Sequence, residues 1–188
     1  VSGGYCLSVY NNHPYILLNY NSSLGGVSTL IHELGHGAYE YLSNKNQSFY
    51  NSSPSIFTHE VASTTNEVLL YENLIKNAKN NKEKAYYISM YLEFIKNTLY
   101  TQTMYAEFED YIHETAEEGK ELNALVLNDK WSMLLKKYYG DGFEVDPLSM
   151  VGWSRIPHFY NSFYVYKYAT GCCSAVSCAQ DILENGPN

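Results

Sequence analysis

Residues 5–20 are rich in β-forming side chains and are broken by Asn11-Asn12-His13-Pro14, a turn signal that predicts a hairpin. After a predicted loop over 22–26, apolar residues recur at Val27, Leu30, Ile31, Leu34 and Ala38. That spacing predicts a helix over 27–43. The polar stretch 44–54 reads as a loop, and a second helix is expected from Ser55 to beyond Ile75. Asn77-Ala78-Lys79-Asn80-Asn81 breaks it. A long helical stretch follows from Lys82 to about Glu118, with an interruption near Leu99-Tyr100 and an end at Gly119. Another helix is expected over 121–139, closed by the turn Tyr139-Gly140-Asp141-Gly142. Residues 153–157 read as extended or irregular, because a residue before proline avoids the helical region. A last helix is expected over 159–183, ending in a turn over 184–188. The pattern describes a mostly α protein, a single domain over residues 1–188, with a small N-terminal β-hairpin.

Composition narrows the function classes. The chain has 188 residues, 45% of them hydrophobic and 17% charged, a globular balance. The net charge is -8 and the pI about 5.2, with no basic stripe of the kind nucleic-acid binders carry, so no nucleic-acid partner is expected. No apolar run is long enough to span a bilayer, so no membrane partner is expected either. Tyrosine is abundant, with 20 residues, and suits a cleft lined by groups apolar on the ring and polar at the tip. Cys6, Cys172, Cys173 and Cys178 fit neither a disulfide framework nor a zinc finger. They read as buried, reduced thiols, which points to a cytoplasmic location. The sequons at Asn21, Asn46 and Asn51 are read as incidental in so Asn-rich a chain. Val1 and the residues after it read as the interior of a longer polypeptide.

The segment His32-Glu33-Leu34-Gly35-His36 carries the chemistry. Two histidines four apart on a helix present both imidazoles on one face, one turn apart, where they can share one Zn²⁺. Glu33 can reach a water on that metal without being a ligand itself. Gly35 costs roughly 1 kcal/mol relative to Ala in a helix interior, which implies a close-packing reason for it. The competing reading is a surface helix with two solvated histidines.

A catalytic zinc takes a third protein ligand, and the second predicted helix offers His59, Glu60 and Glu67. Glu60 and Glu67 are seven apart and share a face, so one can ligate while the other orients a ligand histidine through its free ring N–H. His59 points about 100° away from Glu60. Spacing ranks Glu60 first but leaves Glu67 open as the ligand.

The chain resembles oligoendopeptidase F and, more distantly, thimet oligopeptidase. The resemblance rests on Ser2-Gly3-Gly4-Tyr5-Cys6, on residues 13–20, on His32 to His36, and on Glu60-Val61-Ala62-Ser63-Thr64-Thr65-Asn66-Glu67. It continues through Ile156-Pro157-His158-Phe159-Tyr160 and residues 164–171, in the family's order. It implies a zincin-like helical catalytic domain with a deep substrate channel. It also implies one Zn²⁺ per chain held by His32, His36 and Glu60, with Glu67 in support. Family members are longer, so a missing N-terminal portion of the polypeptide is expected to complete the channel. His59 departs from the family pattern, where a small or apolar residue is expected; it reads as facing solvent or capping a neighbour.

Peptide hydrolysis also needs a general base and donors for the oxyanion. Glu33 is the candidate base on the zinc-bound water. The resemblance implies that His158 and tyrosines after it face the metal, with Tyr164 ranked first and Tyr166 next; Tyr160 and Tyr164 share a face if both are helical. The edge of the hairpin can pair with an extended peptide, with Gly3-Gly4 allowing close approach, or it can be a purely structural ribbon. His13 reads as structural and His113 as a solvated surface residue. The expected function is hydrolysis of internal bonds in short peptides, with weak or no activity from this segment alone. A metallocarboxypeptidase is the alternative within the class, with Arg155, the sole arginine, to hold a terminal carboxylate. A metal-stabilised peptide-binding domain is the non-enzymatic alternative.

Overall fold

The computed structural model describes residues 4–53 and 55–186. Gly3, Pro54 and the final Pro187-Asn188 turn therefore lie outside the described residues. The expected fold class holds: the chain is mostly α with one small antiparallel ribbon. Strands β1 (Gly4–Leu7) and β2 (Tyr15–Leu18) pair with Gly4 opposite Leu18 and Cys6 opposite Ile16. Period-two alternation puts Gly4, Cys6, Ile16 and Leu18 on the more buried face and Tyr5, Leu7, Tyr15 and Leu17 on the exposed one. Asn11 takes the left-handed turn conformation at φ 62°, which its short polar side chain tolerates.

Helices α1 (Leu24–Asn46), α2 (Ile56–Lys76) and α3 (Asn81–Ile95) follow. A π-helical turn, Lys96–Tyr100, joins α3 to α4 (Thr101–Glu117), at the place where the sequence predicted an interruption. Then come α5 (Ala124–Tyr139), the short α6 (Pro147–Met150), 3₁₀ turns at Gly152–Arg155 and Pro157–Tyr160, and α7 (Tyr166–Asn185). No helix among the described residues is long and apolar enough to cross a membrane.

Several boundaries differ from the sequence expectation for local reasons. Helix α1 starts inside the predicted loop, because the Ser23 hydroxyl accepts the Gly26 N–H at 3.1 Å and caps the first turn. Helix α5 starts three residues late, at Ala124, where the Asn123 side chain accepts two backbone N–H groups. Residues 152–155 form a 3₁₀ turn, and Ile156, the residue before Pro157, keeps the expected extended conformation (φ -96°, ψ 98°). The last helix begins at Tyr166, not Phe159. Phe163 sits at φ 55°, and its N–H is taken by the Glu109 carboxylate at 2.7 Å, so the chain cannot run helically through it. Tyr160 and Tyr164 therefore do not share a helix face.

The chain divides into two compact units, Val1–Phe94 with Thr170–Asn188, and Ile95–Ala169. In the second unit, Met104 and Phe108 of α4 pack with Trp131, Leu134 and Leu135 of α5 to form a core that Trp153, Ile156 and Phe159 extend. Both indoles are satisfied: Trp131 Nε1 donates to the Ser149 carbonyl at 3.0 Å and Trp153 Nε1 to Asn128 Oδ1 at 2.8 Å. His113 is half-buried against Phe163, rings 4.6 Å apart, and not a solvated surface residue.

In the first unit, the ribbon packs on α1, and α1 packs on α2. Gly35 makes the helix pair possible. A Cβ there would fall 2.6 Å from the Ser63 Cα and 2.9 Å from the Ala62 carbonyl oxygen, both backbone atoms of α2. Cys172, Ala175 and Ala179 form the buried stripe of α7, whereas Cys173 and Cys178 fall between its positions and are exposed. The expectation that all the thiols are buried is thus corrected: Cys172 is buried, Cys6 half-buried, and the other two lie on the solvent side of a one-sided helix.

Replacing Gly35 by Ala should lower stability by about 1–3 kcal/mol, seen as a lower Tm, because the helix backbones must part despite the roughly 1 kcal/mol gain in helix propensity. Burial pushes the Cys172 thiol up to about 11, and burial followed by the Glu40 charge pushes Cys6 up to about 12. At pH 8 a thiol reagent should label Cys173 and Cys178 rapidly and the other two about two orders of magnitude more slowly, until denaturant equalises them; mass spectrometry of the labelled peptides reads the order.

Candidate metal centre

The centre is built where α1 crosses α2. The i, i+4 spacing on α1 sets His32 and His36 side by side, ring centroids 4.7 Å apart. The Gly35 contact brings Glu60 of α2 against them. One donor atom from each of His32, His36 and Glu60 lies within 4.8 Å of the other two. Glu60 Oε2 is 3.5 Å from His32 Nε2 and 4.0 Å from His36 Nε2. The Ser63 hydroxyl, one turn on, donates to that same Glu60 oxygen at 3.3 Å.

Glu67, which spacing left open as a ligand, lies on the far side of the His32 ring. Its Oε2 is 2.8 Å from His32 Nδ1, so it holds the ring with Nε2 turned toward Glu60. The Ser28 hydroxyl donates to the other Glu67 oxygen at 2.7 Å, and the Tyr71 hydroxyl donates to Ser28 at 3.4 Å. Sequence reasoning missed Ser28 and Tyr71. The signal was available: Ser28 precedes His32 by four residues and Tyr71 follows Glu67 by four, each one helical turn along the same face.

Glu33 is buried, and its Oε2 has no hydrogen-bond partner. At Gly4 of the ribbon the missing Cβ leaves room for Leu18 and for the Glu33 side chain, 3.2 Å from where that atom would stand. His59, expected to face solvent or cap a neighbour, does not face solvent: 14% of its side chain is exposed. Its ring stacks on that of His36, centroids 3.9 Å apart and planes 23° from parallel, because the next residue, Glu60, must point at the α1 histidines.

The electrostatics follow from burial. Glu33 and Glu60 are both raised, first by loss of solvent and then by neighbouring carboxylates, with His32 opposing. Burial works against the charged form of His32, but the Glu67 hydrogen bond and the Glu67, Glu60 and Glu33 charges outweigh it, and the ring is raised overall. Burial, then the imidazoles of His32 and His59, push His36 down to about 3, so it is neutral at pH 7.

This donor set fits a divalent cation such as Zn²⁺. Tetrahedral bonds of roughly 2.0–2.2 Å set ligand atoms roughly 3.3–3.5 Å apart. The His32–Glu60 separation of 3.5 Å matches, and the His36–Glu60 separation of 4.0 Å is close to it. Among the described residues, no Lys or Arg forms an ion pair with Glu33, Glu60 or Glu67. A cation would relieve that concentration of buried carboxylates.

The other expected site residues lie in the second unit or at its end. His158 stands in the 3₁₀ turn Pro157–Tyr160, its ring 5.7 Å from Tyr164 and 5.9 Å from Tyr168. Tyr164 and Tyr168 are themselves 5.6 Å apart. Tyr168 was not singled out from sequence, although it follows Tyr164 by four. Tyr166, the first residue of α7, is 44% exposed.

Known proteins match the chain along its length. The family model described as peptidase family M3 matches residues 1–188. The oligopeptidase PepF of Bacillus subtilis is 43% identical over 185 residues, which is 98% of this chain and 28% of that protein. An oligoendopeptidase F homolog of Borreliella burgdorferi is 42% identical over 98% of this chain and 31% of its own length. In the crystal structure of oligoendopeptidase-F from Enterococcus faecium, 30% of that chain superposes on 87% of this one with a TM-score of 0.71 at 39% identity. The chain thus spans about 30% of the length of the relatives it matches. The matches run through both histidines of α1 and the acidic face of α2, and they agree with the resemblance those segments carried; this chain belongs to peptidase family M3.

Proposed function

We propose that this segment supplies the metal centre and the general base of a zinc metalloendopeptidase that hydrolyses internal bonds of short peptides. The observation that carries the reading is the convergence of His32, His36 and Glu60 donor atoms within 4.8 Å, with the unpaired Glu33 carboxylate buried one residue from His32. These three residues would hold one Zn²⁺. When bound, the ion would polarise the scissile carbonyl and acidify a water.

Glu33 takes the proton from the attacking water and returns it to the leaving amine. Two features support this role. Its Oε2 has a free lone pair, and burial raises its proton affinity toward the range a base needs near neutral pH. Glu67 accepts from His32 Nδ1–H, which fixes the tautomer and leaves Nε2 free to ligate. We assign oxyanion donation to His158 and Tyr164, with Tyr166 as a further donor; a neutral phenol can donate at pH 7. The close approach of the His158 and Tyr164 rings supports treating those two as one group.

Short peptides as substrates follow from the family and from the names of its members, oligopeptidases and oligoendopeptidases. The edge of the two-stranded ribbon suits backbone pairing with an extended peptide. Completion of the peptide channel is assigned to polypeptide outside this segment, since relatives are about three times as long. Four free thiols support a reducing, cytoplasmic compartment.

Two measurements test the reading. Competition with a chromophoric chelator should show one Zn²⁺ per chain, with affinity falling at least about 100-fold in His32→Ala, His36→Ala and Glu60→Ala; wild-type affinity in all three would refute the site. Glu33→Gln should leave zinc affinity within a few-fold of wild type. In the full polypeptide carrying this segment, the same change should lower kcat on an internally quenched peptide by about 10²–10⁴-fold. Cleavage of peptides blocked at both ends would separate this endopeptidase from a carboxypeptidase.

A further inference from the structure

The two histidines of α1 are held in different ways. His32 has a carboxylate on its Nδ1, 2.8 Å away, backed by Ser28 and Tyr71. His36 has nothing equivalent: its Nδ1 is buried and makes no hydrogen bond. A buried imidazole without a directional bond is free to rotate about its χ angles unless packing stops it, and a rotation of a few tens of degrees would carry Nε2 away from Glu60.

The packing comes from a residue that the proposed chemistry does not use. His59 lies on α2 beside Glu60, and its ring covers the His36 ring at 3.9 Å between centroids, 23° from parallel. His59 is itself flanked by a carboxylate and a ring. Its Nε2 is 3.2 Å from Glu40 Oε1, and Tyr39 meets its ring edge-on at 6.0 Å. Glu40 follows His36 by four residues on α1, so His36, Glu40 and His59 close a loop across the helix pair. The other Glu40 oxygen accepts from the Cys6 thiol of β1 at 3.6 Å, which ties the loop to the ribbon. Glu40 is largely buried, with 13% of its side chain exposed, and has no Lys or Arg partner among the described residues.

We infer that His59, held by Glu40, is the positioning residue for His36: its stacked ring does for His36 what the Glu67 carboxylate does for His32. This rests on His36 being a metal ligand, as proposed above. His59 does not ligate the ion in this arrangement. Its ring lies against the face of His36, and its Nε2 is 3.2 Å from the Glu40 carboxylate without the alignment of a hydrogen bond. The role calls for a flat ring at position 59 more than for an imidazole, so an aromatic hydrocarbon should replace it and an aliphatic side chain should not.

The test uses the full polypeptide carrying this segment and two readouts that do not depend on peptide cleavage: Zn²⁺ affinity by chelator competition, and the visible spectrum of the Co²⁺-loaded protein, which reports ligand geometry. His59→Leu should weaken Zn²⁺ binding about 10–100-fold and shift the Co²⁺ bands. His59→Phe should bind within about 3-fold of wild type with near-native bands. Glu40→Gln should fall between them and shift the bands. Wild-type affinity and spectrum in His59→Leu, or a His59→Phe as weak as His59→Leu, would overturn the inference. If His59→Leu does not fold, the other two decide: a rescued His59→Phe with shifted bands in Glu40→Gln supports it, and a weakened His59→Phe or a native Glu40→Gln overturns it. Retention of zinc by His36→Ala would instead refute the underlying ligand assignment, an outcome distinct from these.

Discussion

The site depends on how closely α1 and α2 can approach. A carboxylate and two imidazoles on different helices can bring donor atoms within 4.8 Å only if the helix backbones nearly touch. Gly35 permits this, since any side chain there would collide with the backbone at Ser63 and Ala62. The residue sits between the two histidines in sequence, so the contact falls at the centre of the site. Ser63, fully buried beneath it, uses its hydroxyl on the Glu60 carboxylate, so the point of closest approach also helps fix the third donor.

Around that contact the protein concentrates carboxylates in a way that a folded chain avoids unless something offsets the cost. Glu33, Glu60, Glu67 and Glu40 lie within a few side-chain lengths of one another, and the cationic partners in reach are histidines, which neutralise readily. Hydroxyl donors from Ser28, Ser63 and Tyr71 satisfy part of the demand. The remainder is a cluster of carboxylates with the Nε2 atoms of His32 and His36 turned toward Glu60. In the proposed reading, a divalent ion completes this balance, and the raised proton affinity of Glu33 comes first from its burial and then from the neighbouring carboxylates.

The supporting residues repeat one geometric device. Ser28 and His32, His36 and Glu40, and Glu67 and Tyr71 are each pairs separated by four on a helix. In each pair one member belongs to the centre or orients it, and the other, one turn away, meets a residue of the facing helix: Ser28 donates to Glu67, Glu40 lies beside His59, and Tyr71 donates to Ser28. Tyr164 and Tyr168, near His158, show the same interval across the start of α7. Regular helices set with whole turns facing one another thus supply both the donors and their supports, with little work left to loops.

The sequence by itself determined what depends on neighbours along the chain. Helical periodicity placed α1, α2 and the long α3–α4 stretch, the Asn11–Pro14 turn placed the ribbon, and the four-residue spacing placed His32 and His36 on one face. It also made Gly35 conspicuous as a helix-interior glycine with a packing role. Tertiary structure decided what depends on partners distant in sequence. Spacing ranked Glu60 first but left Glu67 open as the ligand; only the crossing of α1 over α2 directs Glu60 to both Nε2 atoms, Glu67 to the His32 Nδ1, and His59 onto the His36 ring. The late start of α7 has the same origin, because the Phe163 N–H that would extend it is captured by Glu109, 54 positions earlier in the chain. Local propensity carries no information about such a bond, since its energy comes from a partner that only the folded chain brings near.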